Sequence, residues 1–344
     1  MKLGLVGYGF GGRVFHAPFI RAAEGVEIAG VVARSPDKIA ALASELPGVP
    51  VYASLTEMIV AGGVEVVTIT TPPETHKPLV LEAIAAGLHV VCDKPFAPTL
   101  PDAIEMAEAA RATGVLLNVF HNRRWDSDFA TFRALVEDGR LGQVLRVHNR
   151  MDFDDPGTLE AGPGGGLLRD LGSHIVDQML VAFGPAVSVS GQVDHVSLDA
   201  GDTDASFALH LTHESGTHSY ITATKIHHFT EREIRAYGTL GTYVANGTDV
   251  QARSVIEGTA PHNGPGWGIE PKAGWGRLHT SAGAETIPCL QSRIQDLYTD
   301  FARAVRGGGD GPVPLAGALH TVAVLDAARE AARDGRTVYL NKTH

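Results

Sequence analysis

The sequence predicts an α/β protein: an N-terminal doubly wound parallel sheet, then an α+β domain with a large open, mainly antiparallel sheet. Three features predict it. An apolar strand, Lys2-Leu3-Gly4-Leu5-Val6, runs directly into the glycine turn Gly7-Tyr8-Gly9-Phe10-Gly11-Gly12. Strand and helix patterns then alternate as far as Phe120, as parallel βαβ units require. Beyond His121 the long strands are joined by tight turns, which calls for antiparallel pairing.

At 344 residues and 44% hydrophobic content, the chain can fill two cores of ordinary domain size. The expected division is 1–120, a dinucleotide-binding domain, and 121–344, an α+β domain. The formal net charge of −11 comes with no basic block, which argues against a nucleic-acid-binding surface. Cys92 and Cys289 are the only cysteines, with no CxxC and no signal-like N-terminus; a reduced, cytoplasmic setting is expected. No apolar run approaches the roughly 18 residues that a membrane-spanning helix needs.

The first strand and its turn suit a dinucleotide. Gly7 allows the tight turn, Gly9 leaves the backbone open to a pyrophosphate, and Gly12 lets the next helix pack on the strand. The helix N-terminus then offers unpaired N–H groups to phosphate. The alternative is a purely structural strand–helix turn. Pro18 shortens or kinks that helix. Val26–Ala33 is the second strand, and its tip decides the cofactor. An acidic residue there would hold a ribose 2′-hydroxyl and repel a 2′-phosphate. This chain has Arg34 and Ser35, with Lys38 a turn beyond, so NADP is expected over NAD; otherwise Arg34 is a solvated side chain at a strand end.

Further along, Asp37–Leu46 is a helix, Val49–Ala53 a short strand and Val64–Thr70 a β-branched strand stopping at Thr71-Pro72-Pro73. Thr75–Ala86 is a helix ended by Gly87, and His89–Cys92 a strand leading to Asp93-Lys94-Pro95. A helix from Thr99 to Thr113 and a strand at Val115–Phe120 complete the alternation. Gly7–Gly12, Arg34, Pro72, Lys94 and His121 all fall at carboxyl ends of strands, where such sheets bind ligands. The second domain reads as a helix from Asp128 to Glu137, a strand at Val144–Met151 and a helix over Leu167–Phe183 opened by the flexible Gly162–Gly166. Strands follow at Val187–Val196, Ala205–Thr212, His218–His227, Glu233–Tyr237 and Thr242–Ala245. Pro261–Gly276, with Trp267 and Trp275, reads as a lid or interface loop. Helices at Arg293–Val305 and Leu315–Arg333 and a strand at Thr337–Leu340 end the chain.

Asp170, His174 and Asp177 are spaced i, i+4 and i+7, so they share one helix face. A histidine can take the proton of an alcohol as hydride leaves its carbon, and a nearby carboxylate can orient it. Lys94 could hydrogen-bond the same oxygen. The alternatives are a surface lysine, a capped helix start and a packed polar histidine. A metal site is not expected. No HExxH occurs, and the strand positions of His210 and His213 point to opposite faces.

These motifs resemble the Gfo/Idh/MocA oxidoreductases over nearly the whole chain. The resemblance rests on Gly7–Gly12, Thr71-Pro72-Pro73, Asp93-Lys94-Pro95 and Asp170-Leu171-Gly172-Ser173-His174-Ile175-Val176-Asp177. That family more often has Glu where Asp93 stands. Gly12-Arg13-Val14-Phe15-His16-Ala17-Pro18, His121-Asn122-Arg123-Arg124-Trp125-Asp126 and the Trp267-Gly268 loop are similar to its NADP-dependent scyllo-inositol dehydrogenase branch. The resemblance implies a Rossmann domain, an open substrate-binding sheet that builds homodimers or homotetramers, and Lys94, Asp170 and His174 as catalytic residues. It also implies His121, Arg123, Arg124, Trp125 and Asp177 near substrate or nicotinamide. Candidate cofactor contacts are Gly7, Gly9, Phe10, Gly12, Arg34, Ser35, Thr71, Pro72, His76 and Lys94. The implied reaction is reversible oxidation of a cyclic polyol, scyllo-inositol to scyllo-inosose. The alternatives are a sugar dehydrogenase and a catalytically silent NADP-binding regulator.

Overall fold

The structure, a computed structural model, describes residues 1–162, 164–247, 249–261 and 266–340. Pro163, in the expected glycine-rich helix opening, and residues 262–265, in the expected tryptophan loop, lie outside the described residues. In chain order the elements are β1 (Lys2–Val6), α1 (Ala17–Ala22), β2 (Glu27–Val32), α2 (Pro36–Glu45), β3 (Val51–Tyr52), α3 (Leu55–Ala61), β4 (Val66–Ile69), α4 (His76–Ala85), β5 (His89–Cys92), α5 (Leu100–Thr113) and β6 (Leu117–Val119). Then come α6 (Ser127–Glu137), β7 (Val144–Asp152), α7 (Leu167–Phe183), β8 (Ala186–Leu198), β9 (Gly201–His213), β10 (His218–Thr224), β11 (Glu231–Gly238) and β12 (Gly241–Ala245). The last are α8 (Val250–Ile256), β13 (Gly276–Thr280), β14 (Gly283–Ile287), α9 (Gln295–Gly307), α10 (Leu315–Asp334) and β15 (Val338–Tyr339).

Two compact units form. The first gathers Met1–Asn122, Gln251–Trp267 and Arg293–Ala318; the second gathers Arg123–Val250, Gly268–Ser292 and Leu319–His344. In the first unit a six-stranded parallel sheet has the order β3-β2-β1-β4-β5-β6. The order reverses between β1 and β4, the switch point beyond whose carboxyl ends doubly wound sheets bind ligands. Its strands read as continuous apolar runs because both faces are covered: all four residues of β4 are buried. Thr99 caps α5, its Oγ1 accepting from Asp102 N, and Gly114 closes that helix in a left-handed conformation. Trp267 is buried here, 5.9 Å from the ring of Phe19, with Nε1 donating to Gln251 Oε1. That describes a core residue more than a lid.

The second unit holds a nine-stranded sheet, β14-β13-β12-β11-β7-β10-β9-β8-β15, antiparallel except for β7 against β10. Alternation sets its two faces. In β7, Val147, Asn149 and Met151 are buried while His148, Arg150 and Asp152 are half-buried. Val147 and Met151 join a core with Phe129 and Phe132 of α6, Ile175 and Met179 of α7, and Val324 and Ala328 of α10. The expected strand His218–His227 ends at Thr224; His227 and His228 lie beyond it, His228 at φ 55.

Candidate functional site

In the first unit the site grows from the end of β1. Gly7 takes φ 107 and donates to Val32 O, while Thr70 Oγ1 donates to Gly7 O at 3.2 Å. A Cβ on Gly12 would lie 2.3 Å from Gly7 O, so only glycine lets the turn close on the strand. Gly9 differs: a Cβ there would meet nothing within 4 Å. That open space over the backbone is where a dinucleotide pyrophosphate would fit. Gly11–His16 form a π-helical turn leading into α1, with Phe10 67% exposed at its start. Arg34 is exposed just past β2, and Ser35 precedes α2 without capping it.

The neighbouring strand ends are tied together. Thr71 Oγ1 and Thr75 Oγ1 lie 2.6 Å apart, and Thr75 Oγ1 donates to Pro72 O. His76 is fully buried, with Nε2 2.8 Å from Thr71 O and Nδ1 3.1 Å from Pro95 O. Its ring therefore joins the Thr71-Pro72 turn to the Lys94-Pro95 loop. Lys94 is half-buried, and its backbone N–H donates to Asp93 Oδ1 at 2.7 Å. The second oxygen of Asp93 lies 3.1 Å from Nε2 of the buried His16, whose Nδ1 is 2.6 Å from Tyr298 Oη. Burial alone would raise the Asp93 carboxyl, but the facing His16 holds it below the usual carboxylate range. His121 is 2% exposed.

In the second unit the central element is α7. Gly166 precedes it at φ 94, and a Cβ there would strike the Asp204 carboxylate. Asp204, from β9, accepts the N–H of Leu168 and pairs with Arg329 at 3.2 Å. A distant strand thus supplies the cap that α7 lacks locally. Asp170 stands in the first helical turn, and its Oδ2 accepts from Lys225 Nζ at 2.8 Å. His174, one turn on, is buried. Asp177 forms a two-pronged pair with Arg124, Nε to Oδ2 at 2.8 Å and Nη2 to Oδ1 at 2.6 Å. Gln178 Nε2 donates to Arg123 O, and Trp125 O accepts from Ser292 Oγ. The 122–125 turn is therefore pinned to α7.

Beneath it lies a buried charge network. Arg123 bridges Asp126 and Asp249, and Arg232 bridges Asp126 and Asp128. Burial raises Asp126 to about 6, although Arg123 and Arg232 pull it down. Asp249 and Asp126 more than offset the burial of Arg123, so its guanidinium stays charged. Arg123, Arg124 and Asp177 thus hold the frame of this turn through ion pairs. No local pattern marks Asp204, Lys225 or Arg232, each of which meets its partner across a long chain separation. No group of three or more His, Cys, Asp or Glu among the described residues could hold a metal.

The comparisons with known proteins decide the family. Residues 1–121 match the model of an oxidoreductase family with an NAD-binding Rossmann fold, and residues 129–244 match the GFO/IDH/MocA C-terminal domain. The chain belongs to the Gfo/Idh/MocA oxidoreductases. It is 31% identical to the uncharacterized oxidoreductase YdgJ of Escherichia coli (strain K12), over 99% of each chain. It is 29% identical to the scyllo-inositol 2-dehydrogenase (NADP(+)) IolW of Bacillus subtilis (strain 168), over 99% of this chain and 96% of that one. The solved structure of Bacillus subtilis yvaA superposes with a TM-score of 0.91 at 29% identity, over 99% of this chain and 98% of that one. As a member of this family the chain carries an NAD(P)-binding Rossmann domain. Among the described residues no helix is long and apolar enough to cross a membrane.

Proposed function

We propose that this protein is an NADP-dependent dehydrogenase that reversibly oxidises a ring hydroxyl of a cyclic polyol, with scyllo-inositol the preferred substrate. The observation that carries it is α7: a buried histidine one turn after a carboxylate that is paired with a lysine. Full-length similarity to an NADP-dependent scyllo-inositol dehydrogenase supports the substrate class. Bound NADP⁺ supplies the hydride acceptor. Gly7, Gly9 and Gly12 shape the pyrophosphate cradle, and Arg34 with Ser35 receives the 2′-phosphate. Lys94 donates a hydrogen bond to the reacting oxygen. His174 takes the hydroxyl proton, and the charge of Asp170 favours the imidazolium that results. We further propose that the first 120 residues bind cofactor and the remainder binds substrate and assembles the oligomer, and that the protein works in the cytoplasm, where its two free cysteines stay reduced.

The test is turnover in Lys94→Ala and His174→Ala, with NADP⁺ binding followed in parallel by calorimetry. Each variant is expected to lose roughly 100-fold or more in kcat while still binding cofactor. Wild-type turnover in both would rule the mechanism out.

A further inference from the structure

Lys225 stands behind the carboxylate of Asp170. It follows β10, where its backbone N–H donates to Ala205 O at 3.1 Å, so β9 fixes the start of its side chain. The side chain is only 9% exposed, and Nζ donates to Asp170 Oδ2 and Thr158 Oγ1, each at 2.8 Å. The Asp170 side chain is 37% exposed. A partly hydrated carboxylate is thus gripped from its protein side by a buried ammonium.

Two physical consequences follow. An exposed aspartate ordinarily samples several rotamers, whereas a cation with a buried stem and two fixed acceptors offers one partner position. The ammonium also meets the carboxylate at hydrogen-bond distance, 2.8 Å from Nζ to Oδ2, so the contact sets direction as well as charge. Anchoring α7 is a separate matter, because Asp204 and Arg329 already hold its N-terminus.

We propose that Lys225 is a positioning residue for the dehydrogenase: it holds the Asp170 carboxylate in a single rotamer, the one in which it assists proton transfer to His174. This rests on the proposed function, and the experiment separates the two. Initial rates with scyllo-inositol and NADP⁺ are measured for the full-length wild type, Lys225→Met, Asp170→Asn and the double variant, each checked for folding by thermal melting. The single Lys225→Met variant is expected to lose roughly tenfold or more in kcat with the KM for NADP⁺ unchanged. In the Asp170→Asn background the same change should cost less than about twofold, because its target is gone. Lys225→Ala should regain rate when ethylammonium is added to the assay. An equal cost in both backgrounds, or no loss in Lys225→Met, overturns the proposal. If Lys225→Met keeps its rate while Lys94→Ala and His174→Ala lose theirs, this proposal alone fails. If the latter two keep wild-type rates, the dehydrogenase mechanism fails and takes this proposal with it.

Discussion

Gly9 and Gly12 stand three positions apart in one turn, yet the structure asks different things of them. A methyl at Gly12 would press on Gly7 O at 2.3 Å, while one at Gly9 would enter open space. Gly12→Ala should therefore lower folding stability by about 2 kcal/mol, the scale of overpacking at a site that cannot yield. Gly9→Ala should melt like wild type yet bind NADP⁺ roughly tenfold more weakly, as thermal melts and titration calorimetry would show. Unimpaired binding in Gly9→Ala would remove the pyrophosphate from this turn. Residues such as Gly7, Arg34, Lys94 and His174 can be singled out from sequence because local spacing or a strand end announces them. His16 could not be placed that way: its partner Tyr298 lies 282 positions away, and only the folded first unit brings the two within 2.6 Å. Lys225 is similar, a lysine just past a strand whose meaning depends on Asp170, 55 positions earlier.

Elements with strong internal patterning were legible. β5 and α7 span the residues expected, because an apolar run and a long stretch bounded by glycines, Gly166 before it and Gly184 after it, leave little choice. α3 is too short for its periodicity to stand out in the sequence, although Ser54 accepts from Glu57 N as an N-cap should. The β13–β14 hairpin is not legible in the sequence: four of the five residues of β14 are exposed, so no hydrophobic alternation marks it. His213, at the end of β9, shows what an element boundary can store. Its ring nitrogens lie 2.8 Å from Gly184 O and Ser219 Oγ, and burial lowers its pKa to about 4. The unfolded chain would titrate near 6.5, so between these values it binds more protons than the folded state. Stability contributed here is whole above about pH 6.5 and is lost as pH falls toward 4, by at most roughly 3 kcal/mol. Urea unfolding at pH 7 and pH 4.5 should show this loss, and His213→Gln should diminish it. An unaltered pH dependence in that variant would contradict the assignment.

At the scale of the whole molecule, the nine-stranded sheet packs one face on α6, α7 and α10 and lines the other with half-buried rings. His148 stacks on Tyr220 at 5.1 Å and Tyr220 on His210 at 4.6 Å, a row crossing three strands. A second copy of the chain covering this face would account for the aromatic row. Light scattering after size exclusion should then give a mass of two or four times 36.3 kDa, and Tyr220→Glu should shift it toward one chain. A monomeric wild type would contradict this. The reaction itself is tested by the initial rate of nicotinamide reduction with scyllo-inositol, myo-inositol and glucose, each with NADP⁺ and NAD⁺. A rate with scyllo-inositol and NADP⁺ far above the others is the result expected. A rate confined to glucose would move the enzyme to the sugar dehydrogenases, and no rate with any pair would contradict the account.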